Sequence, residues 1–213
     1  MEGRMNMSEF WKNINTYYKR YGLHATIVRI MDKLTGQSRV DYMTWYQKTK
    51  PTKQVLKIQR ETTFPYMPEI LVIVLENKSG FHRLADSLKD QTYSRWKLCK
   101  IRELNDVVEI LKEAKGENVL ITQPEDELSA DAFFQCVKSL NADRTIEAIY
   151  SDDDIIKNET EYEEPAIKPD LNLDMLRSCN YIHNFLLVKK KLCQELFEEC
   201  LESWNGQIDW KYD

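Results

Sequence analysis

Apolar and polar segments alternate from residue 69 to the end of the sequence, which predicts a series of strands and helices. The run Ile70–Leu75 is apolar throughout, as is typical of a strand buried in a parallel sheet. Segments with helical spacing separate this run from the later ones. The predicted strands are 70–75, 96–101, 118–122 and 148–151, and the predicted helices are 81–90, 105–115, 129–140 and 192–201, with a solvated turn at 189–191. This order predicts an α/β fold with a doubly wound, mostly parallel sheet flanked by helices.

Residues 1–68 have a different pattern, which predicts a helical arm before a sheet domain of residues 69–213. Apolar and aromatic positions at helical spacing predict one helix over residues 8–34 and a second over residues 52–61. Lysine and arginine residues lie among the aromatic positions of the first helix. Two interpretations stay open: its apolar stripe packs against the body or a partner chain, or the helix lies on an anionic membrane surface.

Charge is distributed unevenly along the 213 residues, whose net charge is −5. Residues 1–68 contain 12 Lys and Arg against 5 Asp and Glu, whereas the remainder contains 18 against 30. The acidic body argues against a nucleic-acid partner, because neutralising phosphates requires positive charge. No apolar run reaches the length of about 18 residues that a membrane-spanning helix needs.

Cysteine usage bears on the cellular compartment. The cysteines are odd in number and scattered, with no CxxC pair, and the first residues lack the apolar stretch of a secretory signal. We therefore expect reduced, buried thiols in a cytoplasmic protein, with a metal site as the alternative. The five residues are Cys99, Cys136, Cys179, Cys193 and Cys200.

Acidic clusters follow two of the predicted strands directly, at residues 125–127 and 152–154. In doubly wound sheets, ligands bind beyond the carboxyl ends of the strands. Adjacent carboxylates repel one another unless a cation or hydrogen-bond donors offset their charge. The run at 152–154 therefore indicates a functional role near a cation or a ligand, with a solvated acidic loop as the alternative.

Several short motifs resemble those of the family 2 glycosyltransferases, in the same order along the chain. They are Ser87-Leu88 with Gln91-Thr92-Tyr93 and Trp96, Gly116-Glu117-Asn118-Val119, Ile149-Tyr150-Ser151-Asp152-Asp153-Asp154, and Lys168-Pro169-Asp170 with Asn180-Tyr181-Ile182. The last two resemble a branch of the family that builds bacterial surface polysaccharides. The resemblance covers roughly residues 45–213 and implies a GT-A-like fold, a nucleotide-diphosphate sugar donor, a divalent metal ion and inversion at the anomeric carbon.

The same resemblance implies roles for particular carboxylates. Aligned through Glu127 and Leu128, Glu125 stands at a metal-ligand position of the family, whereas Gln123 replaces an aspartate. Carboxylate oxygens are the natural ligands of Mn²⁺ or Mg²⁺. The implied metal ligands are Glu125, Asp152 and Asp154, and the implied contacts to the donor, most simply a UDP-sugar, are Glu76, Asn77, Asp126, Asp152 and Asp153. An acidic turn at the N-terminus of the next helix is an equal alternative for residues 125–126.

Asp209 is the implied catalytic base, because residues 206–210 resemble the family's base motif. A carboxylate in this role takes the proton of the attacking acceptor hydroxyl. The sequence ends at Asp213, where relatives continue into a helix, so we expect either a truncated chain or a vestigial site. His183, which follows the Asn-Tyr-Ile motif, is interpreted as an ordinary core or loop residue.

Two hypotheses for function follow. The first is a cytoplasmic inverting glycosyltransferase, peripheral at the inner face of the membrane, that acts on a polysaccharide or lipid-linked acceptor. The second is a catalytically inactive relative that serves as an interaction or scaffold module in glycan assembly. The intact acidic run at 152–154 favours the first. The altered segments at 76–80 and 102–104, where the family contacts the nucleotide, favour the second.

Overall fold

The computed structural model of the protein describes residues 42–75, 81–102, 105–157, 161–183 and 185–203. The chain forms two compact units that divide between Thr49 and Lys50. In the first unit, the described part is one helix, α1 (Tyr42–Thr49). The helix predicted over residues 8–34 lies outside the described residues. The predicted domain boundary at residue 68 stays a prediction.

The second unit contains the strands and helices that the sequence predicts, together with three strands and one helix after residue 150 that it does not predict. They are α2 (Lys53–Glu61), β1 (Ile70–Leu75), α3 (Phe81–Asp90), β2 (Trp96–Ile101), α4 (Asn105–Glu113), β3 (Asn118–Thr122), α5 (Ala132–Ala142), β4 (Ala148–Tyr150), β5 (Asp153–Lys157), β6 (Glu161–Ala166), α6 (Leu173–Ser178), β7 (Leu186–Lys189) and α7 (Lys190–Ser203). The predicted bounds of β1, α3, β2 and β3 are confirmed residue for residue. The helix expected from residue 129 begins later, at Ala132.

The central sheet has the strand order β2-β1-β3-β7-β4. Strand β1 pairs in parallel with β2 and β3, whereas β7 pairs in the antiparallel direction with β3 and with β4. Strand β4 therefore runs in the same direction as β1, β2 and β3, and β7 alone runs against them. The predicted fold class, an α/β fold with a mostly parallel sheet flanked by helices, is confirmed.

The core lies on both faces of β1, whose residues 70–74 are completely buried. Its alternate side chains point to opposite faces, as in any strand. One set packs with the apolar side chains of α3 and α5, and the other packs with those of α4 and with Cys193 of α7. Because helices cover both faces, the strand is apolar at every position, which explains the pattern in the sequence.

The prediction of a solvated turn at residues 189–191 is wrong. Lys189 ends β7, and its Nζ donates to the carbonyl of Arg144 at 3.2 Å. Lys190 begins α7 and donates from Nζ to the carbonyl of Ala114 at 2.6 Å. Both lysines thus join elements of the body.

The prediction of buried, free thiols is confirmed for Cys136 and Cys193 and wrong for Cys179. Cys136 and Cys193 are buried and free, Cys99 is half-buried, and Cys179 is exposed. Burial raises the pKa of Cys136 to about 12 and that of Cys193 to about 11, so both stay protonated near neutral pH.

Candidate functional site

Strands β1, β3 and β4 end at one edge of the sheet. Val74 of β1 is in register with Thr122, the last residue of β3, and Tyr150, the last residue of β4, is in register with Leu186, the first residue of β7. The segments after β3 and after β4 and the segment before β7 therefore meet at this edge. It is the edge where ligands bind in doubly wound sheets, and both acidic clusters lie there.

The first cluster, after β3, is a closed turn. Asp126 Oδ2 accepts hydrogen bonds from Thr122 Oγ1 at 2.6 Å and from the Gln123 N–H at 2.9 Å. The Asp126 N–H donates in return to the carbonyl of Gln123 at 3.2 Å. One carboxylate oxygen of Asp126 is thus used to hold the turn, which leaves Glu125 exposed at its tip. The cluster is thus an acidic turn, but it closes on the end of β3 and not on the N-terminus of α5, which begins at Ala132. A donor contact of Asp126 stays a prediction.

The segment after this turn is positioned by the motif that resembles glycosyltransferases. Gln91 Nε2 donates to the Ser129 carbonyl at 2.7 Å, and Gln91 Oε1 accepts from the Phe133 N–H at 3.1 Å. Ser87 Oγ accepts from the Leu128 N–H at 3.1 Å. Ser87 and Gln91 are both buried. The motif therefore acts structurally, by fixing the chain between β3 and α5.

Glu127 joins this segment to the separate two-stranded sheet of β5 and β6. Its carboxylate accepts from Arg83 Nη1 of α3 at 3.2 Å and from Tyr162 Oη of β6 at 3.0 Å. The side chains of Arg83 and Glu127 are 23% and 32% exposed, so water screens this ion pair only in part. No local pattern in the sequence predicts this contact.

The second cluster has a lysine as its cation. Lys168 Nζ lies 2.8 Å from Asp153 Oδ2 and donates to the Ile182 carbonyl at 2.6 Å. The Lys168 N–H also donates to Asp152 Oδ1 at 2.8 Å. The Lys168 side chain is only 3% exposed. The interpretation of 152–154 as a solvated acidic loop is therefore wrong for Asp153, and a cation and a donor offset the repulsion that the sequence indicated.

The loop that follows Lys168 is tied to β4 and to the segment before β7. Tyr150 Oη donates to the Pro169 carbonyl at 2.7 Å, and the Asn172 N–H donates to Tyr181 Oη at 2.9 Å. The rings of Tyr150 and Tyr181 meet edge to face, with centroids 6.2 Å apart. These contacts hold the Lys-Pro-Asp and Asn-Tyr-Ile segments side by side.

His183 lies beside the second cluster, in a turn before β7. Its Nδ1 is 3.9 Å from Asp153 Oδ2, and its side chain is 54% exposed. The backbone of His183 has φ = 56°, in the left-handed region that costs a non-glycine residue roughly 1–2 kcal/mol. The interpretation as a loop residue is confirmed, and the sequence did not predict the proximity to Asp153.

The predicted metal ligands do not form one group. Among the residues that the structure describes, no three or more His, Cys, Asp or Glu side chains are arranged to hold a metal ion. Glu125, Asp152 and Asp154 are accordingly not brought together as a metal site, and they do not fit a divalent cation by themselves. Glu76, Asn77 and Asp209 lie outside the described residues. The proposed roles of all these residues stay predictions.

The connection after β2, at the same edge of the sheet, is short. Strand β2 ends at Ile101 and α4 begins at Asn105. The Arg102 N–H donates to Asp106 Oδ2 at 2.9 Å, which ties the residue after β2 to the first turn of α4. Only three residues, 102–104, separate the strand from the helix.

Comparison with known proteins gives limited similarity. No protein-family profile matches the chain. It is 26% identical over 136 residues, 64% of its length, to the O-antigen biosynthesis protein RfbC of Myxococcus xanthus, and it spans about 10% of that protein's length. It is also similar to the solved structure of the mannosyltransferase PcManGT from Pyrobaculum calidifontis in complex with GDP-Man and Mn²⁺. That similarity has a TM-score of 0.40 and 18% identity, over 66% of this chain and 52% of the other.

Within the described residues, no helix is both long and apolar enough to cross a bilayer.

Proposed function

We propose that this chain is a glycosyltransferase-like domain that binds a nucleotide-diphosphate sugar at the carboxyl edge of its sheet. The observation that carries the proposal is the position of Asp126 and of residues 152–154, which follow two strands of the same direction and lie at that edge. The sequence similarity to an O-antigen biosynthesis protein supports a role in polysaccharide assembly. The proposed reaction is transfer of the sugar, with inversion, to a polysaccharide or lipid-linked acceptor.

The described residues suit the sugar more than the diphosphate. Asp152 is exposed and Asp153 is half-buried, so their carboxylates can accept hydrogen bonds from sugar hydroxyls. Asp209 is the proposed base that takes the proton of the acceptor. A Mn²⁺ or Mg²⁺ ion would neutralise the leaving diphosphate in such a reaction, but the described residues offer no three-ligand group for it. No step is therefore assigned to a metal ion.

A non-catalytic role is the second candidate, and two observations favour it. Donors of the protein itself already occupy oxygens of Asp126, Asp152 and Asp153. The connection between β2 and α4 is also short, which leaves little chain to contact a nucleotide. In this alternative the domain keeps the fold and binds a partner protein in glycan assembly.

Calorimetry with the purified chain separates the two candidates. UDP, UDP-sugars and GDP-mannose are titrated with and without Mn²⁺. We expect a binding heat for one nucleotide sugar, and we expect Asp152→Asn to weaken that binding by roughly tenfold or more, as for the loss of a charge-assisted hydrogen bond. Asparagine keeps an acceptor oxygen for the Lys168 N–H, so this variant preserves the loop. Asp170→Asn, at an exposed position nearby, is the matched control. The absence of heat with every nucleotide would refute the transferase proposal.

The location of the protein is a separate proposal. We propose that it acts in the cytoplasm, at the inner face of the membrane, through the basic and aromatic residues 8–34. Sedimentation with vesicles that contain anionic lipid at low salt tests this. Protein that stays in the supernatant would indicate that this segment packs against protein instead.

A further inference from the structure

Lys168 is a buried ammonium group, and two of its three N–H donors are bonded to Asp153 and to the Ile182 carbonyl. Its side chain is 3% exposed, whereas that of Asp153, its ionic partner, is 27% exposed. A buried charge is tolerated only when it is paired and hydrogen-bonded. The bonds from Nζ to Asp153 Oδ2 and to the Ile182 carbonyl supply both requirements. The ammonium thus connects the start of β5 with the segment before β7.

Lys168 also forms a hydrogen bond with the preceding aspartate, Asp152. The Lys168 N–H donates to Asp152 Oδ1, so one residue contacts two successive carboxylates, through its backbone and through its side chain. The third aspartate, Asp154, lies at an irregularity in the pairing of β5 with β6. Asp153 pairs with Ala166, whereas Ile155 pairs with Glu163. This irregularity gives Asp154 a position outside the regular pairing.

We propose that Lys168 takes the place of a metal ion at residues 152–154, as a positioning residue whose ammonium is the permanent counter-ion of this acidic run. A divalent cation on Asp153 would have to displace an ammonium that is already bound and shielded from water. The ammonium also repels any second cation beside it, so we expect the neighbouring carboxylates of Asp152 and Asp154 to bind no divalent cation either. This proposal concerns the same carboxyl edge of the sheet as the proposed function, but it does not depend on sugar transfer.

The arrangement also assigns a structural purpose to the lysine. Because Nζ holds the Ile182 carbonyl, it fixes the residue directly before His183, whose backbone is left-handed. The position of His183 beside Asp153 then follows from the same ammonium. Loss of the ammonium should loosen both segments together, whereas loss of an ordinary surface lysine should loosen neither.

Mn²⁺ binding to the full chain tests the proposal, with free Mn²⁺ counted by electron paramagnetic resonance. Wild-type protein is compared with Asp152→Asn/Asp154→Asn, which retains Lys168. The titration is repeated with UDP, because phosphate oxygens complete the coordination shell of many bound cations. We expect the Mn²⁺ affinities of the two proteins to agree within about twofold, and the absence of detectable binding by both proteins supports the proposal equally. A tenfold or larger loss in the double variant would overturn the proposal.

Thermal unfolding supplies the second readout. Lys168→Met removes the charge and keeps much of the stem, Lys168→Arg keeps the charge, and Lys157→Met removes an exposed lysine that pairs with Glu163 at 2.7 Å. We expect Lys168→Met to lower the unfolding temperature more than Lys157→Met, Lys168→Arg to restore part of the loss, and added Mn²⁺ to stabilise Lys168→Met alone. Equal unfolding temperatures for Lys168→Met and wild type would contradict the proposal.

The two experiments still test the proposal if Lys168→Met does not fold or if the protein is not a transferase. The comparison with Asp152→Asn/Asp154→Asn settles the metal question even where Lys168→Met does not fold. The Mn²⁺ titration without nucleotide and the unfolding measurements contain no sugar donor. A failure of the proposed transferase function appears only in the nucleotide titration, so the two failures are distinguishable.

Discussion

Replacing Gln59 by leucine should destabilise the second unit, although α2 lies far from the candidate site in sequence. Gln59 is buried, with 6% of its surface exposed. Its Nε2 donates to Asp131 Oδ2 at 3.2 Å, and its Oε1 accepts from Thr92 Oγ1 at 3.1 Å. The amide thus joins α2 to the segments before β2 and before α5.

The cost of Gln59→Leu follows from what it leaves behind. Thr92 is 5% exposed, so its hydroxyl loses its acceptor without gaining water. Asp131 Oδ2 keeps a hydrogen bond from Gln135 Nε2 at 2.8 Å, so the loss of the Gln59 donor costs less free energy there. One buried polar group without a partner costs about 1–3 kcal/mol. With about 2 kcal/mol as the central value, the Tm of a chain of this size should fall by about 4–8 °C.

Urea and thermal unfolding, followed by tryptophan fluorescence, measure this loss. Gln54→Leu, at an exposed position of the same helix, is the matched control and should change the free energy of unfolding by less than about 0.5 kcal/mol. In a Thr92→Val background no hydroxyl is stranded, so Gln59→Leu should cost about 1 kcal/mol less there. Equal stability of Gln59→Leu and Gln54→Leu would refute the reasoning.

Other predictions concern the core and its ionisable groups. Phe133→Ala should lower the free energy of unfolding by about 3–5 kcal/mol in urea titrations, because Phe133 is completely buried. With a thiol reagent near neutral pH, exposed Cys179 should react first and buried Cys136 only after unfolding, as mass spectrometry can show; modification of Cys136 in the folded protein would contradict this. Burial raises the pKa of Cys136 from 9.0 to about 12 and that of Tyr93 from 10.0 to about 12. The unfolded chain therefore loses these protons first, so their contribution to stability is complete below about pH 9 and is lost as the pH rises towards 12. Urea midpoints should fall between pH 8.5 and 10.5, and an unchanged midpoint would exclude this effect.

The sequence predicts the part of the fold that depends on local pattern. β1 is apolar at every position and β3 at its three central positions, and each precedes a segment with helical spacing, so the pattern predicts both strands with correct bounds. The antiparallel strand β7 was missed because its run, Leu186–Lys189, is short and leads straight into the lysines of α7. Strand direction depends on which neighbours pair, and no local pattern encodes that pairing.

The candidate site shows the same division. The positions of Asp126 and Asp152 at strand ends were predictable, because strand ends follow from the apolar runs. The burial of Lys168 was not, since a lysine is normally solvated and its partners, Asp153 and Ile182, lie 15 and 14 residues away in the sequence. The Ser87–Gln91 motif was recognised as a resemblance, and only the contacts with residues 128–133 reveal its structural purpose.

Amide chemical shifts, measured as a UDP-sugar or GDP-mannose is added to isotope-labelled protein, test the central claim most directly. If a nucleotide sugar binds at the carboxyl edge of the sheet, the amides of Gln123, Asp126, Asp152 and Asp153 should shift with saturation, whereas those of Lys57 and Lys138, on exposed helical surfaces, should not. Saturable shifts that map to other faces of the sheet, or no shifts with any nucleotide sugar, would contradict the account.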